Sequence, residues 1–160
     1  LGEASRTFKT QYGYFPGDLP TAATQITGVS AGCSYAAGGA VGNGIVNTAT
    51  ESTCALEHLV RAGLLSKIDF NAATSAFFID SGFGAGQVSL WFNAATNENM
   101  VRITLLPCSI AMEIDSKLDN QEANPLAGGV VVGQDGTPAP INTCATGGAN
   151  DPVATLLVRY

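Results

Sequence analysis

The sequence predicts a single α+β domain, in which an amino-terminal helix packs on an antiparallel β-sheet. Three observations point there. Apolar residues recur at helical spacing in three places and alternate with polar ones in others. Glycine (19) and proline (7) are concentrated in loops rather than spread evenly. The chain has 160 residues, enough for one real core.

The first element is a helix tail over residues 1–12, because Ala4, Phe8 and Tyr12 lie on one stripe. Gly13 can end it and Pro16 forbids its continuation. Pro16-Gly17 then suits a type II turn, with Asp18-Leu19-Pro20 following. Residues 27–47 are Gly-, Ala-, Ser- and Asn-rich and read as a long loop without an element of its own. Thr48 and Glu51 match a capping box, which predicts a helix running to about Leu65. Its apolar stripe is Leu56, Leu59, Val60 and Leu64.

Strand signals follow. Residues 76–79 form a short apolar run, and Val88, Leu90 and Phe92 alternate with Gln87, Ser89 and Trp91. Val101, Ile103 and Leu105 alternate with Arg102 and Thr104, so these two runs predict an antiparallel hairpin. Trp91 is expected in the core, under the amino-terminal helix. A helix from about Ser109 to Leu118 should present Ile110, Ala111, Ile114 and Leu118 on one face. A short Val130–Val132 strand, a second loop over 134–152 and a closing strand over 153–160 complete the chain.

Composition removes several functions. Only 12% of residues are charged, the net charge is −6 and the pI is near 4.5. A basic footprint for nucleic acid is therefore missing, as is a polybasic patch for anionic lipid. No run of about 18 apolar residues occurs, so the chain as given offers no membrane span. It opens Leu1-Gly2-Glu3-Ala4 without Met, which reads as an internal fragment or a processed product.

Four cysteines, Cys33, Cys54, Cys108 and Cys144, with no Cys-x-x-Cys pair, argue against zinc ribbons and thioredoxin-like sites. An even count suits an oxidising compartment, and three pairings are open. The sequential pairing, Cys33–Cys54 and Cys108–Cys144, is favoured because each bond would staple a Gly-rich loop to a helix start.

Other constellations have plain readings. Gly28-Val29-Ser30-Ala31-Gly32 matches a nucleophile-elbow pattern, but it lacks the flanking strand and helix and any Asp between Ser30 and the lone His58. His58 alone cannot build a multi-histidine metal site and is expected as a packed or boundary residue. Asp115 and Asp119, four apart, read as a solvated helix face, with Lys117 pairing locally or capping the helix end. Calcium needs six to eight oxygens and no EF-hand loop is present. Residues 38–44 lack the Gly-Lys-Ser/Thr of a phosphate cradle and read as a mobile loop. No cofactor is expected.

Three stretches, in order, resemble the type IV pilin-like superfamily, which includes pilins and the pseudopilins of type II secretion. The first is Phe8-x-x-x-Tyr12-Gly13-Tyr14-Phe15-Pro16-Gly17-Asp18-Leu19-Pro20. It is similar to the segment where the long amino-terminal helix of such proteins gives way to the αβ-loop. The second, Glu57-His58-Leu59-Val60-Arg61-Ala62-Gly63-Leu64, resembles their "HL-x-x-AGL" helix. The third, Ile114-Asp115-Ser116-Lys117-Leu118-Asp119-Asn120 followed by Gly128, is similar to their "ID-x-K-x-D-D-G" element. Leu56 stands where the family often has Trp, and Asn120-Gln121 where Asp-Gly is usual.

The resemblance implies one pilin-like domain over 1–160. Residues 1–13 would be the remnant of the long helix, 14–67 the αβ-loop with a helix, and 68–160 the sheet with an inserted helix and carboxyl-terminal loop. It implies a preceding, mostly apolar stretch of about 25 residues that anchors the precursor in the inner membrane and later packs a filament core. Partners would be other pilin or pseudopilin subunits and the inner-membrane assembly machinery, at the periplasm or cell surface, with no catalysis and no nucleic acid. Phe8 and Tyr12 would dock the helix on the sheet, Pro16, Gly17 and Asp18 would set the turn, and Leu59, Asp115 and Lys117 would be structural. The competing expectation is a secreted or cell-surface binding module of small α+β fold. Replacing Cys108 with Ser should lower the melting temperature and remove one disulfide, read as one newly alkylated thiol by intact mass without reduction. An unchanged mass balance would contradict a disulfide at Cys108.

Overall fold

The computed structural model describes residues 1–36, 38, 41–66, 68–94, 96–118, 131–133 and 153–160. It is α+β and divides into two compact units. One comprises Leu1–Ile79 with Ser89–Phe92, the other Asp80–Val88 with Asn93–Tyr160.

The first unit begins with α1, Gly2–Tyr12, whose buried residues are Ser5 and Phe8. Gly13 ends it at φ 79°, its N–H donating to the Lys9 carbonyl at 2.8 Å. The chain then reverses: Asp18 N–H donates to the Phe15 carbonyl at 3.1 Å with Gly17 at φ 88°. This is the type II turn expected of Pro16-Gly17.

A short helix α2, Ala22–Gln25, follows, and a 3₁₀ turn forms at Ala31–Cys33 inside the stretch read as a plain loop. Helix α3, Ala49–Arg61, starts with the Thr48/Glu51 capping box, both reciprocal bonds present. It stops four residues earlier than expected. Gly63 sits at φ 72°, its N–H donating to Val60 and that of Leu64 to Leu59. This Schellman closure satisfies the last carbonyls, so Leu64 lies beyond the helix. Strand β1, Asp69–Asn71, pairs antiparallel with β2, Ala76–Asp80, in the register Asp69↔Phe78 to Asn71↔Ala76. The core of the unit is Phe8, Leu19, Ala22, Val46, Ala55, Leu56, Leu59 and Leu90.

In the second unit, β4, Glu98–Pro107, pairs antiparallel with β6, Val153–Val158, which pairs antiparallel with β5, Val131–Gly133. Strand β6 is therefore central, and Leu156 and Leu157, which point to opposite faces, are both fully buried. The ends of β3, Gln87–Asn93, reach β4: Gln87 N–H donates to Thr104 Oγ1 at 2.9 Å, and Asn93 Nδ2 to Met100 Sδ at 3.7 Å. The antiparallel sense agrees with the expected hairpin. Trp91 is only half-buried, whereas its neighbour Leu90 is buried, so the expectation of a core Trp91 is corrected.

Helix α4, Cys108–Leu118, places Ala111 in a cluster with Leu106 and Leu156, flanked by Ile110 and Ile114. Leu118, expected on that face, is 43% exposed in the helix's last position. The β4 register shifts between Ile103 and Leu106, where Leu105 takes φ 55° and turns outward. Among the described residues no helix is long and apolar enough to cross a membrane.

Gly13 and Gly17 share a left-handed φ but not a setting. A Cβ on Gly13 meets nothing, whereas one on Gly17 would collide with the backbone of Glu51 and lie 3.2 Å from Ala55 N. Gly13→Ala should therefore cost about 1 kcal/mol and Gly17→Ala about 3 kcal/mol or more, measured as denaturation midpoints. Equal effects would contradict the close approach of turn and helix.

Candidate functional site

The residues singled out in the first resemblance and in α3 converge on one side chain. His58 is fully buried. Gly17 N–H donates to its Nδ1 at 3.0 Å, and its Nε2 lies 2.8 Å from the Cys33 carbonyl. An N–H donor at Nδ1 requires a bare nitrogen there, so the proton is on Nε2, which donates to Cys33. The ring is neutral, and burial pushes its pKa below the ordinary 6.5, against the smaller opposing effects of the Cys33 carbonyl and Glu57. Phe8, fully buried, stacks on it at 5.9 Å between centroids with planes 15° apart, and Tyr12 lies 4.5 Å from Phe8. One imidazole thus joins α1, the Pro16-Gly17 turn, α3 and the Cys33 loop. Phe8 therefore stacks on α3. Leu59, next to His58, is also fully buried.

The loops around this junction are held by acids. Asp18, fully buried, accepts N–H bonds from Gly42, Asn43 and Gly44 at 2.5, 3.1 and 2.8 Å. The Gly-rich run is a nest of amides, as phosphate cradles are, but its anion is the chain's own carboxylate. These bonds give residues 42–44 a definite partner, unlike the mobile loop expected. Burial, with a smaller contribution from Glu51, raises the Asp18 pKa above 3.8 in spite of these three bonds. Glu51 Oε2 accepts from Asn47 N and Thr48 N at 3.1 and 3.0 Å. Glu57, 5% exposed, accepts from Ser30 N at 2.6 Å and Ser30 Oγ at 2.8 Å.

Cys33 and Cys54 form a disulfide across 21 residues, with Cα atoms 5.3 Å apart. It ties the 3₁₀ turn to the second turn of α3. Tyr35 Oη lies 3.3 Å from Cys54 Sγ and also donates to the Gly32 carbonyl. The expected partner bond involves the Cys108 side chain and Cys144, which lie outside the described residues.

This geometry gives no nucleophilic pair. Ser30 is held by Glu57, and both His58 nitrogens are engaged by backbone. On α4, Lys117 pairs with Glu113 at 2.5 Å, both exposed, and this bond lowers the Glu113 pKa. Asp115 is half-buried rather than on a solvated face, and Asp119 lies outside the described residues. Among the described residues no group of three His, Cys, Asp or Glu is placed to hold a metal. The Glu57–Ser30 bonds and the Asp18 nest escaped sequence reading; for the nest the usable signal was a lone acid following a turn Gly, upstream of Gly-Asn-Gly. No family model matches the chain, and neither a curated protein nor a solved structure does.

A neutral buried histidine makes stability depend on pH. Its folded pKa lies below the unfolded 6.5, so below 6.5 the unfolded chain binds more protons and stability falls as pH falls. Asp18 acts oppositely, near the carboxylate range, because its folded pKa is raised. The unfolding free energy should drop from neutral pH to about pH 5 with a slope of at most about 1.4 kcal/mol per pH unit per proton, read from denaturation midpoints. His58→Gln, which does not titrate, should be less stable at neutral pH and lack that slope. An unchanged slope in the variant would contradict the assignment.

Proposed function

We propose that this chain is the globular part of a structural subunit of a type IV pilus or a type II secretion pseudopilus, and not an enzyme. One observation carries the reading: two of the three stretches that resemble the pilin-like superfamily meet at His58. Phe8 and Gly17 belong to the first, His58 to the second, and each contacts the imidazole. The motif residues therefore have a shared physical task, which is to hold the carboxyl end of a helix and turn the chain away from it. A helix held this firmly at one end suits a stalk whose other part packs against copies of itself. The disulfide suits a periplasmic or cell-surface setting. Of the third stretch, Ile114 to Leu118 lie on α4, in the second unit, and the rest falls outside the described residues.

In this reading the partners are other pilin or pseudopilin subunits, the inner-membrane assembly machinery, and the membrane through an apolar helix segment preceding α1. Antibody raised against residues 1–160 should decorate filaments sheared from cells that make the protein. Chemical crosslinking of those cells should give a ladder of multimers. A dispersed monomer in the medium, released after an Ala-x-Ala signal peptide, would overturn the reading in favour of a secreted binding module.

A further inference from the structure

A second face of α3, bordered by the disulfide and the Glu57–Ser30 bonds, lines an open space. A cavity of about 500 Å³ lies in the first unit, between α3 and the turn that joins β1 to β2. Its volume falls within the range of small-molecule sites. Thr50, Thr53 and Glu57 line it from one face of the helix, spaced three and four apart. Ser75 and Phe77 line it from the hairpin.

The chemistry of the lining restricts the ligand. Glu57 is 5% exposed and fixed by two bonds from Ser30. A carboxylate has about four acceptor positions, so it retains capacity for two more donors. Arg61 lies over the Phe77 ring at 5.5 Å from its centroid but is not among the lining residues, and with no cationic side chain in the lining among the described residues, phosphates and carboxylates are disfavoured. Thr50, Thr74 and Ser75 add hydroxyls that both donate and accept, while Thr53, whose hydroxyl donates to the Ala49 carbonyl at 3.0 Å, offers an acceptor. Ala49, Ala76, Phe77 and the disulfide give apolar surface between these groups. At the rim Ser75 takes φ 52°, a left-handed conformation that a non-glycine residue adopts at a cost and that clusters at ligand clamps.

A ligand with many hydroxyl donors, no negative charge and C–H surface between its hydroxyls matches this set. We infer that the cavity binds a neutral sugar, with Glu57 as the oriented acceptor, Thr50 and Thr53 as hydroxyl partners, and Phe77 against the ring's C–H face. This site stands independently of the filament reading.

The test is a ¹⁵N-NMR titration of the 160-residue chain with glucose, galactose, N-acetylglucosamine and lactose, each to tens of millimolar. The expected result is saturable shifts for at least one sugar, centred on amides of residues 30–33, 49–57 and 74–77. Thr50→Trp fills the cavity from an exposed helix position and should weaken binding at least about tenfold. Thr53→Val, isosteric and also exposed, should weaken it several-fold with the spectrum otherwise preserved. Saturable binding elsewhere, binding unchanged in both variants, or no saturable shift with any of the four sugars would overturn the proposal. So would a response of the same amides to butylammonium but to no sugar.

Discussion

The first unit depends on an imidazole that must stay neutral. His58 presents a bare Nδ1 to the Gly17 amide and a protonated Nε2 to the Cys33 carbonyl. Protonation would set two N–H donors face to face at Gly17 and leave a cation in a site with no exposure. Because the same ring stacks on Phe8, the fixing of α1, of the turn and of the disulfide loop rests on one protonation state. Gly17 is the complement of this constraint: only a residue without Cβ lets the turn approach α3 closely enough for its amide to reach the ring.

Around that centre a second device recurs. A chain rich in glycine carries many amides with no helix or sheet partner, and burying them unpaired would be costly. Three acids meet that need: Asp18 for Gly42, Asn43 and Gly44, Glu51 for Asn47 and Thr48, and Glu57 for Ser30. Charge-assisted bonds to backbone amides are among the stronger hydrogen bonds and offset part of the desolvation of each carboxylate. A protein with only 12% charged residues thus holds Asp18, Glu51 and Glu57 inside among the described residues. The disulfide then limits how far the 3₁₀ turn can leave α3 when these bonds open.

Local signals were readable where one residue type answers one backbone demand. The capping box, the Gly13 terminus and the Pro16-Gly17 turn are of this kind, as is the alternation of β3 and β4. Helix α2 has four residues, too few for any periodicity, and β1 is exposed along its length, so no apolar alternation marks it. The end of α3 was misplaced because Leu64 continues the apolar stripe while Gly63 closes the helix. His58 was expected as a packed or boundary residue and is buried, but its two partners come from positions 41 and 25 residues away, which no local pattern encodes. The same holds for Asp18 and Glu57, whose partners are mainly backbone amides 24 to 27 residues away. The Cys33–Cys54 bond was favoured on loop-to-helix reasoning, and it does join such elements.

The most direct measurement is the protonation of His58 itself, read from the ring nitrogens by two-bond ¹H–¹⁵N correlation in the labelled chain. A bridging His58 predicts an unprotonated Nδ1 and a protonated Nε2 at neutral pH. That pattern should persist well below pH 6.5 until the fold is lost. Two averaged nitrogens titrating together near 6.5, with the protein still folded, would contradict it.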